Sequence, residues 1–146
     1  MSNLRGLIRL YRWRTDEKQR VLAELHNQED RLRADAARLE DEIKAEQDAA
    51  RGNFEISFGY ANFARAALGR RAQIAQAITQ IQSQIATATE ALAEAFQEVK
   101  RYELAQDERE RQDKQKQRHK ENEMLDETAA IGFRRRQRDD AENTGG

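Results

Sequence analysis

Apolar side chains recur along the first third of the chain at alternating steps of four and three residues. The surrounding sequence is rich in Glu, Arg and Asp, and the stripe itself is interrupted by Thr15, Lys18, Glu29 and Glu46. The positions of this first seam are Leu4, Ile8, Tyr11, Thr15, Lys18, Leu22, Leu25, Glu29, Leu32, Ala36, Leu39, Ile43, Glu46 and Ala50. Because this spacing returns to one face of a helix, it predicts a coiled-coil helix over about residues 3–51.

A second stripe with the same spacing begins at Tyr60, and Arg71 is its one polar interruption before Tyr102. Its apolar positions are Tyr60, Ala64, Ala67, Ile74, Ile78, Ile81, Ile85, Ala88, Leu92, Ala95, Val99 and Tyr102. Continued to Gln106, this second seam is as long as the first, about 70 Å at the rise of an α-helix. The match predicts an all-α fold in which two long helices form an antiparallel coiled-coil hairpin, with helix 2 longer than helix 1.

Glycine and a loss of heptad spacing separate the two seams. Gly52-Asn53 is typical of a helix end, and the sequence up to residue 58 follows neither seam. We therefore predict a turn at about 52–58 and helix 2 over about 59–132, within a single hairpin domain of residues 1–138. Residues 105–123 hold Ala105 as their sole apolar residue, so this part of helix 2 is expected to be exposed. The tail over 139–146 is predicted to be disordered.

The composition favours this thin shape over a compact globule. Among 146 residues, 36% are charged, 6% are aromatic and none is proline, which would break a helix interior. The formal net charge of −1 gives no sign of a generally basic nucleic-acid binder. No apolar run is long enough to span a membrane, and arginines break up the apolar residues of the first turns, unlike a signal peptide. The expectation is a soluble cytoplasmic protein.

The sequence offers little to catalytic chemistry. Cysteine is absent, and the two histidines, His26 and His119, lie in polar helical sequence typical of exposed positions. There is no glycine-rich phosphate loop, and the carboxylates alternate with Lys and Arg as they do on a solvated helix face. We expect no enzyme activity, no metal, no cofactor and no small-molecule substrate.

Three clusters suggest partner binding. The first consists of Leu7, Leu10, Tyr11, Arg12, Trp13 and Arg14. Its Leu10 and Trp13 lie off the first seam, and Trp and Arg are favoured in protein interfaces. The alternatives are that Trp13 packs on its own hairpin or meets a membrane surface.

The second and third clusters lie at the turn and near the C-terminus. The second is Phe54, Ile56, Phe58, Tyr60 and Phe63, which either cap the hairpin core or form a docking surface. The third is Met124, Leu125, Ile131 and Phe133 with Arg134 and Arg135. It suits a partner helix or ring, or packing against residues 1–5. Binding of nucleic acid by the arginine run Arg134–Arg138 is the weaker alternative.

The chain resembles the FliJ family, the small coiled-coil stalk proteins of the bacterial flagellar type III export apparatus. Similar features are the opening Leu10-Tyr11-Arg12-Trp13-Arg14-x-Asp16-Glu17-Lys18, the turn-side Phe58-Gly59-Tyr60, and Ala95-Phe96-x-x-Val99-Lys100-Arg101-Tyr102-Glu103. Leu125-Asp126-Glu127 is similar as well, so the resemblance covers almost the whole chain.

The resemblance implies a coupling role in protein export. It implies that the chain sits in the pore of the hexameric flagellar export ATPase and contacts the transmembrane export gate protein and export chaperones. On this basis the first and third clusters are assigned to the ATPase ring, and the turn cluster to the gate or a chaperone. The implied location is cytoplasmic, peripheral to the membrane at the flagellar base. A generic coiled-coil scaffold or chaperone without an ATPase partner, and a nucleic-acid accessory protein, remain the alternatives.

Overall fold

Two helices account for almost all of the described chain. In the computed structural model, α1 is Arg5–Ala50 and α2 is Phe54–Thr144, of 46 and 91 residues. The structure describes residues 3–51 and 54–144, and the side chains at positions 54–58 lie outside this description. Asn3 caps α1, because its side-chain Oδ1 accepts a hydrogen bond of 3.0 Å from the backbone N–H of Arg5. The predicted all-α fold with a longer second helix is confirmed.

Helix α2 is longer at both ends than the heptad pattern indicates. It begins at Phe54, within the turn predicted at 52–58, and the turn residues Gly52 and Asn53 lie outside the described part. It ends at Thr144, beyond the predicted end near 132 and within the predicted tail at 139–146. The reason is that no proline interrupts either stretch, and a helix needs an apolar seam for packing but not for its backbone hydrogen bonds.

Contacts group the chain into two units, which are described separately. One unit is Ile8–Val99, and the other combines Met1–Leu7 with Lys100–Gly146. The single-domain organisation of residues 1–138 stays a prediction. Within Ile8–Val99, the end of α1 and the start of α2 pack against each other as the two antiparallel arms of a helical hairpin.

The predicted seams are the least exposed sides of the helices. On α1, every seam position except Lys18 and Glu46 is buried or half-buried. On α2, the same holds for every position from Tyr60 to Gln106 except Arg71. Leu39 and Ile43 of α1 form a buried cluster with Ala67 of α2. The heptad assignment of the antiparallel coiled coil is therefore confirmed, including the polar seam position Glu29, which is half-buried.

Thr15 shows how a polar residue is accommodated within the seam. Its side chain is among the most buried of the described chain, at 4% exposure. The hydroxyl Oγ1 donates a hydrogen bond of 2.9 Å to the backbone carbonyl of Tyr11, one turn earlier. Because this bond stays within α1, Thr15 needs no polar partner on α2.

Ion pairs join the two helices near the turn. Arg71, the polar interruption of the second seam, donates from Nε and Nη2 to the two carboxylate oxygens of Glu40 at 2.6 and 2.9 Å. Arg70 lies 4.0 Å from Glu42. This two-pronged geometry explains why Arg71 is exposed at a seam position: its guanidinium reaches out of the seam to the other helix.

Beyond this point α2 has a long stretch without charge. Residues 72–89 contain no Asp, Glu, Lys or Arg, in a chain where such residues are frequent. Arginines of α1 instead pair within their own helix, as Arg33 does with Glu29 at 3.3 Å and Arg31 with Glu24 at 3.6 Å. Here the helices are therefore held together by apolar side chains, mainly isoleucines of α2.

Candidate partner-binding surfaces

The first cluster divides into residues that face the hairpin and residues that face solvent. In the unit Ile8–Val99, Leu10 is 43% exposed and Trp13 is 59% exposed, and Arg12 and Arg14 are exposed as well. Tyr11 is half-buried because it occupies a seam position. The structure therefore places Leu10 and Trp13 together on the outer side of α1, three residues apart. We call these two residues the Trp13 patch.

Arginine and tyrosine interact next to this patch. The guanidinium carbon of Arg14 lies 5.3 Å from the centre of the Tyr11 ring, within the range of a cation–π contact. Both residues line an open groove of about 250 Å³ together with Lys18, Ala95, Glu94 and Glu98. Its lining combines small apolar side chains with charges of both signs. Such a groove can accept one apolar side chain of a protein partner.

The turn cluster is only partly described. Phe54, Ile56 and Phe58 lie outside the residues whose side chains the structure describes. Tyr60 and Phe63 are half-buried, with ring centres 6.4 Å apart and ring planes tilted by 36°. Phe63 packs against the buried cluster of Leu39, Ile43 and Ala67. For Tyr60 and Phe63 the packing is that of residues that cover the end of the core.

The third cluster lies on a part of α2 that contacts little else. Met124 and Leu125 are 67% and 66% exposed, Ile131 is 50% exposed and Phe133 is 60% exposed. Arg134 and Arg135 are also exposed. Four large apolar side chains in ten residues are an unusual exposure for a solvated helix, and arginine beside them is typical of protein interfaces.

A hydrogen-bonded cluster joins Leu4 and Arg5, the first residue of α1, to α2 within the unit that contains Met1–Leu7. Gln106 Oε1 accepts a hydrogen bond of 3.0 Å from the backbone N–H of Leu4, and Gln106 Nε2 donates to Glu110 at 3.1 Å. Arg5 donates to the same carboxylate at 3.4 Å. The hydrogen bond from Gln106, followed by that from Arg5, lowers the pKa of Glu110 below its usual 4.5. We call these residues the Glu110 clasp.

Three exposed apolar residues of α2 belong to none of the clusters predicted from the sequence. Leu68, Phe96 and Leu104 each expose about half of their side chains. All three lie off the second seam, so the criterion that identified Trp13 would also have found them. Phe96 directly follows the buried Ala95 in the sequence. Only the heptad position of Phe96 therefore indicates that its side chain is exposed.

No arrangement among the described residues suggests a metal or catalytic site. Groups of three or more His, Cys, Asp or Glu with metal-binding geometry are absent from the described part of the chain. His119 pairs with Glu123 at 3.0 Å on an exposed helix face. A depression of about 510 Å³ is an open surface beside the Glu110 clasp, lined by Arg5, Arg109 and Asp113 among others. Over the described residues, neither helix has a segment apolar enough to cross a bilayer.

Comparison with known proteins shows the family of the chain. Neither a curated protein nor a solved structure matches it. A family model described as the flagellar FliJ protein matches residues 1–138 of the 146-residue chain. This match, which spans both predicted seams and the first and third clusters, agrees with the two-helix fold. The chain belongs to the flagellar FliJ protein family, a family of non-enzymatic components of flagellar protein export.

Proposed function

We propose that this protein is a stalk that couples the hexameric flagellar export ATPase to the membrane export gate and to export chaperones. The observation that carries the proposal is the Trp13 patch, a Trp and a Leu exposed beside arginines on a helix that already has a packed seam. A folded helix gains nothing from exposing these side chains to water, so a partner surface is their natural counterpart.

The geometry suits insertion into a ring. Two packed helices are about 20 Å wide, since each helix with its side chains is about 10 Å across. The chain has no proline to bend either helix. Exposed ion pairs, such as Arg33 with Glu29, contribute little and form and break easily. The contact with the ring is therefore made by a few apolar anchors within a reversible charged surface.

Binding to the ATPase places the protein in the cytoplasm, at the inner face of the membrane near the flagellar base. The exposed apolar residues of the third cluster are a second contact with the ring. The gate or chaperone contact is assigned to the turn cluster. Since Tyr60 and Phe63 are half-buried, Phe54, Ile56 and Phe58 are the members through which this contact is proposed.

Stimulation of the ATPase tests the proposal. Leu10→Ala/Trp13→Ala removes two exposed anchors and leaves the buried Ile8 and Thr15 in place. The concentration of this variant that gives half-maximal ATPase stimulation should be about tenfold higher or more, as expected for loss of an aromatic hot spot. The measurement is steady-state ATP hydrolysis by the purified hexamer, with circular dichroism to establish that helicity is retained.

Val21→Ala is the matched control, because Val21 is an exposed apolar residue of the same helix outside the patch. It should stimulate like the unmodified protein. Equal stimulation by the unmodified chain and the Leu10→Ala/Trp13→Ala variant would remove the ring assignment of this patch. Recovery of several export substrates but no ATPase in pull-downs would instead favour the scaffold or chaperone alternative.

A further inference from the structure

The C-terminal part of α2 carries an apolar face that nothing in the described chain covers. From residue 111 to residue 144, every residue is exposed except Gly132. Met124 and Ile131 are seven residues apart, as are Leu125 and Gly132, so each pair returns to the same side of the helix. The face formed in this way, here called the Met124 face, consists of Met124, Leu125, Thr128, Ile131, Gly132 and Arg135. Successive residues of a helix are rotated by roughly 100°, so Phe133 lies on the opposite side of the helix from this face.

Gly132 makes a notch in this face. Apart from the adjacent residues and the nearby backbone of α2 itself, no described atom lies within 4 Å of the place where a side chain at Gly132 would begin. Glycine inside a helix costs about 1 kcal/mol relative to alanine, and no packing within the described chain compensates for it. Close approach of a side chain from another helix gives this glycine a physical role.

Opposite charges border the face at matched distances. Glu127 and Arg134 are also seven residues apart, and both lie along the edge opposite Leu125 and Gly132. Among the described residues, neither is found in an ion pair, unlike Glu29 and Glu40 of α1. Because this edge carries one acidic and one basic residue, two copies of it in antiparallel orientation place unlike charges opposite each other.

We infer that the Met124 face pairs in antiparallel orientation with the same face of a second copy of this chain. In this register Glu127 meets Arg134 of the second copy, and Arg134 meets its Glu127. Leu125 enters the notch at Gly132, and Thr128 lies against Ile131. The arrangement has two-fold symmetry, so every contact occurs twice. A parallel pair would instead place the edge of Glu127 and Arg134 beside the Leu125 and Gly132 edge of the second copy, so neither charge would meet an opposite charge across the pair.

The pairing is independent of the proposed stalk function but has a consequence for it. Met124, Leu125, Ile131 and Arg135 are also part of the cluster assigned to the ATPase ring. One face cannot serve a second copy and the ring at once, so the paired chain is a form in which this cluster is withheld from the ring. Self-association is measured without any ATPase, and therefore its failure is distinct from failure of the stalk function.

Sedimentation velocity of the full chain, over a wide range of concentration, tests the pairing. We expect a reversible monomer–dimer equilibrium. Glu127→Arg and Arg134→Glu should each lower the association constant about tenfold or more, because the like-charge contact arises twice. The double variant Glu127→Arg/Arg134→Glu restores both contacts in exchanged form and should restore the dimer. Asp126→Arg is the matched control, since it makes the same charge change on the opposite side of the helix.

Two further variants test whether the pairing depends on the Met124 face or on exposed apolar residues beside it. Ile131→Ala should weaken the dimer and Phe133→Ala should not, with helicity checked by circular dichroism in each case. A monomer at all concentrations would overturn the pairing. So would equal association of the Glu127→Arg and Asp126→Arg variants, or failure of the exchanged double variant to recover. A chain that stays monomeric while Glu127→Arg abolishes ATPase binding would assign the face to the ring instead.

The orientation can be measured because the chain has no cysteine that would interfere with labelling. Spin labels at a cysteine introduced at Ala129 should lie close to each other across the two-fold axis. Labels at Gln115 should be separated by about 40 Å, from 1.5 Å per residue along antiparallel helices. Short distances at both positions would indicate a parallel pair and would contradict the inference.

Discussion

Among the described residues, Thr15 is the clearest case of a buried polar side chain. Its hydroxyl bonds to the carbonyl of Tyr11, which is also the acceptor position for the backbone N–H of Thr15 in a regular helix. The hydroxyl is thus satisfied locally and contributes nothing to the choice of partner helix. A buried polar residue in the seam can therefore leave the choice of partner helix unaffected.

Thr15→Val tests this interpretation. The carbonyl of Tyr11 keeps its backbone partner, and a methyl group replaces a hydroxyl in an apolar seam. We expect the free energy of unfolding to rise by about 0.5–1 kcal/mol, measured by urea denaturation. Thr15→Asp, which buries a charge at the same position, should lower it by more than this amount. A large loss of stability in Thr15→Val would mean that the hydroxyl has a partner role after all.

Glu110 makes the clasp sensitive to acid. The hydrogen bonds from Gln106 and Arg5 favour the carboxylate and hold the pKa below 4.5. A lowered folded-state pKa means that the contribution to stability is present above pH 4.5 and is lost as the pH falls through the lower, folded value. The protection factor of the Leu4 amide, which is corrected for the slower intrinsic exchange in acid, should therefore fall at acidic pH, and a Glu110→Gln variant should lack this pH dependence.

Gln106→Ala should raise the pKa of Glu110 towards its usual value, as measured by an NMR titration of the side-chain carboxyl. Arg111→Ala is the control, because Arg111 pairs with Glu108 at 3.6 Å and not with Glu110. An unchanged pKa in Gln106→Ala would contradict the assigned cause.

At the scale of elements, the heptad pattern predicted which sides of the helices pack and failed to predict where α2 ends. Burial follows the period because only one face of each helix can meet the other. Helix ends depend on breaking residues, and no such residue occurs in Phe54–Phe58 or in the stretch from Asp139 to Thr144. The absence of a seam was therefore misinterpreted as the absence of a helix.

Ion-pair partners were less predictable than helices. Lys44 lies one turn after Glu40 on α1, but Glu40 pairs with Arg71 of α2. Asp16 lies one turn before Arg20, but Arg20 pairs with Glu17. Several partners lie within reach of each long side chain at similar energy. The choice depends on the register between helices, which the sequence of one helix does not contain.

The pair Glu40–Arg71 should contribute measurably to holding α1 and α2 together. A double-mutant cycle with Glu40→Ala and Arg71→Ala should give a coupling energy of about 0.3–1 kcal/mol, since both side chains are about half exposed. The coupling should shrink in high salt. A cycle with Glu40→Ala and Lys44→Ala, two residues one turn apart on α1, should give a coupling close to zero.

For the whole molecule, burial is unevenly distributed along the chain. The buried side chains of the described residues all lie in Ile8–Val99, whereas from residue 111 onward none is buried. The sequence predicted this difference from the disappearance of apolar residues after Tyr102. It could not predict the partner-binding role of the exposed residues, because exposure alone does not specify what binds.

Hydrogen exchange should follow this distribution. Amides in the middle of both arms, around Leu25 and Ile81, should be the most protected, and those from residue 111 to residue 144 should exchange much faster although they are helical. The reason is that a helix without tertiary contacts opens locally at little cost. Uniform protection along α2 in a monomeric sample would contradict the absence of packing in its last part.

The charge-free stretch of α2 also lies within a longer span that trypsin cannot cut. Trypsin cuts after Lys or Arg, and between Arg71 and Lys100 the sequence offers neither. Digestion therefore releases this span as one fragment whether the helices are paired or separated. The isoleucine-rich fragment can thus serve as an internal standard in a digestion experiment. Relative to it, slower cleavage at the arginines of α1 or of the last part of α2 would indicate that a partner is bound there.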